Sequence, residues 1–203
     1  MFASLQQFAT DLTQNFDQIP IERKAVLQKI AAFVQAGQDK QIAINLVYVC
    51  THNSRRSHFG QVAASLAASF YGVQHVHTFS GGTEATAFNP NAIKALQSLG
   101  FEVVSDNKTD NPVYTVSFGE GLSTTCFSKV YDHPSNPNQD FAAIMTCTDA
   151  EQNCPFIAGA TLRIATPYLD PKASDGQPDQ DATYLARFTQ IATETFYVFG
   201  LVV

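Results

Sequence analysis

Four cysteines, at positions 50, 126, 147 and 154, are the side chains of this sequence best suited to covalent chemistry. Cys50 opens the run Cys50-Thr51-His52-Asn53-Ser54-Arg55-Arg56-Ser57, which lies between an apolar stretch and a helical pattern. A loop feeding a helix N-terminus offers backbone N–H groups and the positive end of the helix dipole, and is therefore an anion cradle. A Cys50 thiolate would be stabilised by those donors, by Arg56 and by the Ser57 hydroxyl. The Arg56 guanidinium can grip two oxygens of a tetrahedral oxyanion. Thr51, His52, Asn53, Ser54 and Arg55 complete the candidate anion-binding loop. The competing reading is a buried structural cysteine that ends a strand. Cys147 and Cys154 stand seven residues apart after a second apolar run, as two core thiols, half a metal site or a reactive pair. Seven is not a zinc spacing and no Cys or His pair completes a tetrad, so neither a metal nor a cofactor is expected.

The elements that must position these groups are legible in outline. Residues 42 to 49 (IAINLVYV) read as a buried parallel strand, and residues 57 to 71 as a helix with a Phe59, Val62, Ala63, Leu66 and Phe70 stripe. Residues 76 to 79 and 101 to 104 read as short strands. Between them lies a helix over 89 to 99, with Asn89 as N-cap, Pro90 at its first position and Gly100 past its end. Residues 113 to 118 and 124 to 131 flank GEGLS as a hairpin. Residues 141 to 145 (FAAIM) and 162 to 165 read as further strands, and 182 to 198 as a closing helix. Leu5, Phe8, Leu12 and Phe16, then Ala25, Val26, Ile30, Phe33 and Val34 up to Gly37, give two amphipathic helices in the first forty residues. Strands alternating with helices predict an α/β class: one domain with a central, mainly parallel sheet flanked by helices. Residues 1–40 form a helical extension packed on a 41–203 domain, and 107–140 a β-hairpin insertion. Ligands of such sheets bind beyond the C-terminal strand ends, where Cys50 and Cys147 both fall.

Composition narrows the function. The chain has 203 residues, 12 Lys and Arg against 18 Asp and Glu, and a formal net charge of −6. That excludes broad nucleic-acid or anionic-membrane binding, which need a basic face, but not a small anion in a locally positive pocket. Four cysteines are too few for a disulfide scaffold. No apolar run reaches the roughly 20 residues that span a bilayer, and the N-terminus has neither a basic leader nor a continuous hydrophobic stretch. A reducing cytoplasm is the expected compartment.

The Cys-x5-Arg-Ser loop after a strand and before a helix resembles the low-molecular-weight protein tyrosine phosphatase superfamily. Within it, Cys147-Thr-Asp-Ala-Glu-Gln-Asn-Cys154-Pro155 resembles the Cys-[Ser/Thr]-Asp-Ala-x-x-Asn-Cys-Pro segment of the thioredoxin-coupled arsenate reductases. Ser80-Gly81-Gly82-Thr83-Glu84 and Asn89-Pro90-Asn91-Ala92-Ile93 look like that family's second strand and next helix, and Asp170-Pro171 like its late Asp-Pro. The similarity covers about residues 43–106 and 141–199. The resemblance implies a low-molecular-weight phosphatase-like fold and a cascade. Cys50 attacks arsenate with Asp170 as acid, Cys147 attacks Cys50 to release arsenite, and Cys154 passes the oxidation to a disulfide that thioredoxin reduces. A helical 147–154 segment would hold its ends about 10.5 Å apart. Disulfide Cα atoms lie within about 7 Å, so the segment must unwind to oxidise.

The sequence also departs from that pattern. His52 stands where the reductases have Gly, and is expected to take the positive φ if that is needed. Arg55 stands where they have Cys. Gln61 replaces an acidic residue that helps hold potassium in some relatives, which speaks against a bound cation. Two other readings remain: a tyrosine phosphatase using Cys50, Arg56 and Asp170, and an anion-sensing or redox-regulated binding protein without turnover. A monomer is the expected state. Cys126 reads as an inert buried thiol, His75 and His77 as solvent-facing, and Asp149 and Glu151 as solvated helix-start acids.

Overall fold

The computed structural model describes residues 1–105, 109–153 and 156–202. Four parallel strands form the central sheet in the order β2-β1-β6-β7: β1 (Ile44–Cys50), β2 (Val76–Gly82), β6 (Phe141–Met145) and β7 (Ala160–Ala165). β1 and β6 are apolar and buried almost throughout, as strands covered on both faces must be. Their side chains alternate. Ile44, Leu46 and Tyr48 face a core shared with α3 (Arg56–Tyr71) and α6 (Gln180–Gly200). Val47, Val49, Ala143 and Met145 face a smaller cluster with Cys50, Cys147, Ala150 and Ile157. This is the α/β single domain that the alternation predicts.

Helix α6 is the hub of the helical layer, packed on α3, on α4 (Pro90–Leu99), and on α1 (Ala3–Thr13) and α2 (Ile21–Lys40). Asn89 caps α4 as expected, its side chain accepting from the Asn91 and Ala92 amides. α2 runs past the expected stop at Gly37. That glycine is there for contact: a Cβ would meet Ile44 Cγ1 at 2.4 Å.

The connecting region builds a sheet of its own, and one expected strand ends early. β3 (Glu102–Ser105) leaves the parallel sheet and pairs antiparallel with β4 (Tyr114–Gly119), which pairs with β5 (Leu122–Cys126) in a separate sheet. Its two ends are the polar Glu102 and Ser105, and it is mostly exposed, so it has no face for a doubly covered sheet. The hairpin turns at Glu120-Gly121, with Gly121 at φ 67, but its second strand stops at Cys126 rather than residue 131. The following residues turn away to brace the Cys50 loop. α5 (Thr148–Asn153) is the helix that follows Cys147. Cys154 and Pro155 lie outside the described residues.

Candidate functional site

β1 delivers Cys50 to the C-terminal edge of the sheet, and the chain loops directly into α3, whose first turn has no side-chain cap. Those N–H groups are left for an anion. Cys50 Sγ is buried and lies 3.1 Å from Ser57 Oγ. Asn53 Nδ2 donates to the same Ser57 oxygen at 2.8 Å, so the hydroxyl proton is free to point at the sulfur. Asn53 Oδ1 accepts from the Lys129 amide at 2.8 Å, which ties the loop to the segment after β5.

The positive φ falls on Asn53 (φ 43), not on His52. Asn tolerates that conformation, and here its side chain fixes it through bonds at both ends. His52 instead faces outward, its Nε2 3.7 Å from Glu84 Oε2 with both side chains exposed. Its carbonyl accepts from Thr86 Oγ1 and Ser128 Oγ. Thr51 O accepts from the Glu84 amide, Ser54 Oγ donates to Ala87 O, and Ser54 O accepts from the Asn89 amide. Gly82 lets this happen, since a Cβ there would sit 2.6 Å from Thr51 O and 2.7 Å from Asn53 N.

The two arginines part company. Arg56 Nη2 pairs with Asp170 Oδ2 at 2.6 Å and Nη1 donates to Tyr168 O at 2.9 Å, while Nε is buried with no partner among the described residues. A buried guanidinium N–H at a helix N-terminus could donate to an anion held there. Arg55, expected in the anion-binding set, turns away: Nε donates to Tyr184 Oη at 2.6 Å and Nη2 to Asp175 Oδ2 at 3.0 Å. Burial works against its charge, but Tyr184, Asp170 and Asp175 outweigh it and raise the guanidinium above its ordinary value. Asp170 also caps its own turn, with Oδ1 accepting from the Lys172 amide at 3.0 Å.

Cys147 ends at the strand beside Cys50. β1 and β6 pair in register Val49↔Met145, so the two cysteines leave adjacent strands almost level. Thr51 Oγ1 is 3.5 Å from Cys147 Sγ, and the Ala150 amide donates to that sulfur at 3.3 Å. Glu151 is only partly solvated: its side chain is 34% exposed, and Arg163 on β7 reaches its carboxylate at 2.8 Å and its carbonyl at 2.6 Å. Asp149 is exposed as expected. The Cys154 expectation lies outside the described residues.

Several contributors carry no sequence signal. His58 is fully buried, its Nδ1 3.1 Å from Ser80 Oγ and its ring tilted at 32° against Phe88. Burial, with Lys129 nearby, pushes its pKa down to about 3, so it is neutral. Lys129 is buried over the Phe127 ring, and burial brings it down to about 8 despite Cys126. Cys126 is pushed up to about 12 by burial, which fits the inert thiol expected. Gln61 donates to Thr124 Oγ1 and Thr125 O, pinning α3 to the hairpin. Arg23 of α2 pairs with Glu194 at 2.8 Å, and Glu194 accepts from Tyr168 Oη at 2.7 Å. The N-terminal helices thus brace the segment that carries Asp170. His75 and His77 are exposed.

No protein-family model matches the chain. It is 26% identical over 142 residues to an arsenate reductase of Bacillus subtilis (strain 168), across 70% of this chain and 84% of that protein. It is 24% identical over 151 residues to an arsenate reductase 2 of Staphylococcus epidermidis, across 74% and 94%. Its fold is similar to a low-molecular-weight phosphotyrosine phosphatase from Vibrio cholerae O395. That match has a TM-score of 0.51 at 11% identity and covers 77% of this chain and 94% of that one.

Proposed function

From the premise that the chain is related by sequence to arsenate reductases and has the low-molecular-weight phosphatase fold, we propose that it reduces arsenate to arsenite through a relay of cysteines. The observation that carries the reading is the delivery of Cys50 and Cys147 by adjacent parallel strands into one buried cluster, at the mouth of an anion loop. The Cys50 thiolate attacks arsenic while the loop amides and Arg56 hold the remaining oxygens. Asp170 gives its proton to the departing hydroxyl, which leaves as water, and an S–As(V) adduct remains. Cys147 thiolate then attacks Cys50 Sγ. The S–As electron pair passes to arsenic, which leaves as arsenite, and a Cys50–Cys147 disulfide forms. Cys154 attacks Cys147 Sγ, frees Cys50 thiolate and forms a second disulfide, which the thioredoxin dithiol reduces.

In this reading thioredoxin is the reductant, the working unit a monomer and the compartment the cytoplasm. Residues 1–40 are an extension of the 41–203 domain. No described helix is long and apolar enough to cross a membrane. Phosphoester hydrolysis shares the first half of the chemistry, and the Vibrio phosphatase likeness in fold keeps it as the second reading. A binding protein without turnover is the third.

One panel separates them. Cys50→Ser is expected to abolish both arsenate reduction and hydrolysis of a small aryl phosphate. Cys147→Ser and Cys154→Ser are expected to abolish thioredoxin-driven arsenate turnover and spare the hydrolysis. Normal arsenate turnover in both of the latter variants sinks the relay. A wild-type protein that does neither reaction supports the binding reading.

A further inference from the structure

The single turn Pro171–Ser174 is gripped at both ends. Its leading residue, Asp170, is bound by Arg56 at 2.6 Å, and its trailing residue, Asp175, by Arg55 at 3.0 Å. The two arginines are neighbours in sequence at the start of α3, so the anion loop holds the acid-bearing loop by two separate hands. The second grip is reinforced. Tyr184 Oη receives the Arg55 Nε proton and donates its own to Asp175 Oδ1, both at 2.6 Å. Asn91 Nδ2 donates to the same carboxylate at 3.3 Å, and Gln180 Nε2 donates to Asn91 Oδ1 at 3.1 Å. The Arg55 side chain is 11% exposed and Tyr184 is buried, whereas the Asp175 carboxylate is 34% exposed, so the shielded half of the grip is the Arg55–Tyr184 bond.

The first grip cannot survive catalysis unchanged. Arg56 Nη2 carries Asp170 in the ligand-free protein, and a tetrahedral oxyanion in the loop must claim that guanidinium. Once it does, the Arg55–Asp175 pair is the side-chain tie that remains between the loop and residues 170–175 among the described residues, beside the packing of that turn on α6.

We propose that Arg55 and Asp175 are positioning residues. Their pair, seated on Tyr184, keeps the Asp170 loop docked when Arg56 exchanges Asp170 for the oxyanion, so that Asp170 stays within proton-transfer reach of the leaving oxygen. This rests on the reading of Asp170 as the acid, and the test separates the two claims. Arg55→Gln and Asp175→Asn remove one partner each. Arg55→Lys keeps the charge opposite Asp175 and loses the Nε donor.

Three measurements are made on each full-length variant. They are steady-state arsenate reduction with thioredoxin, protection of Cys50 from iodoacetamide by arsenate, and amide hydrogen exchange over 169–175. Arg55→Gln and Asp175→Asn are expected to lower kcat about ten- to a hundredfold, the cost of a misplaced catalytic group. The arsenate concentration that protects Cys50 stays where it is, and exchange over 169–175 rises while that of α4 does not. Arg55→Lys is expected to recover part of the kcat. Unchanged exchange over 169–175 overturns the clamp. So does a loss of protection in proportion to kcat, which marks a general collapse of the loop. If the wild-type protein reduces no arsenate, the function reading fails while the exchange arm still decides whether the clamp exists.

Discussion

The Cys50 loop and the helix that follows Cys147 are built to opposite standards. The Cys50 loop is tied at nearly every residue: Thr51 to Glu84, His52 to Thr86 and Ser128, Asn53 to Ser57 and Lys129, Ser54 to Ala87 and Asn89. Helix α5, which follows Cys147, has six residues, and among the described residues its side-chain tie to β7 is the Glu151–Arg163 pair. An oxyanion site gains from donors that need no rearrangement when charge arrives. In the proposed relay the segment after Cys147 has to open to bring two thiols together, and it gains from being cheap to open. On that reading, rigidity lies where the anion would bind and release where the oxidation would be handed on.

Variants can break or sharpen that contrast. The largest effect is expected from Gly82→Ala, whose Cβ would meet the backbone of Glu84, Thr51 and Asn53 at 2.3 to 2.7 Å. The loop must shift, at a cost of about 1–3 kcal/mol of stability, with most arsenate turnover lost. Chemical denaturation beside an activity assay reads both, and normal activity would show the loop to be softer than its bonds imply. Asn53→Ala comes next. It leaves the Lys129 amide unpaired, puts a non-Asn residue at positive φ and frees the Ser57 hydroxyl to rotate, for about 1–3 kcal/mol.

The third is a pH effect. His58 at the start of α3 has a folded pKa near 3, against an ordinary 6.5. The unfolded chain therefore binds the extra proton first as pH falls. Stability is expected to hold above about pH 6.5 and to decline from there toward pH 3. Urea midpoints measured across that window should flatten in His58→Gln, and an unaltered slope would assign the acid sensitivity elsewhere. The smallest thermodynamic effect is expected in α5. Glu151→Gln loosens a partly exposed ion pair worth about 0–1 kcal/mol, yet should speed formation of the Cys147–Cys154 disulfide in the isolated oxidation step. A slower step would mean that Glu151 organises the relay rather than restraining it.

Much of this architecture could be read from sequence where the signal is local. The β1-loop-α3 unit, the Asn89 cap and the apolar run before Cys147 each advertise themselves within a few residues. What escaped depends on partners far along the chain. Nothing near Arg55 announces Asp175 or Tyr184, 120 and 129 residues away. Likewise Glu151 reads as a solvated acid until Arg163 is placed across from it on β7. The positive φ illustrates a different failure. The comparison with a Gly-bearing pattern pointed to His52, whereas the constraint falls on Asn53, the residue whose side chain can be bonded at both ends. That β3 pairs outside the central sheet could not be read either, because its exposure, the property that sets it apart, is not written in its spacing.

The Asp170 carboxylate resting on Arg56 also sets a condition on any anion that the loop would take up. Any visiting ion must evict a resident before it can be held, so the threshold for entry is set inside the protein rather than by the solvent. If the loop takes up a tetrahedral oxyanion as proposed, several oxygens can share the loop amides and Arg56 Nε, whereas a small monoanion such as chloride offers a single point of contact for the same exchange.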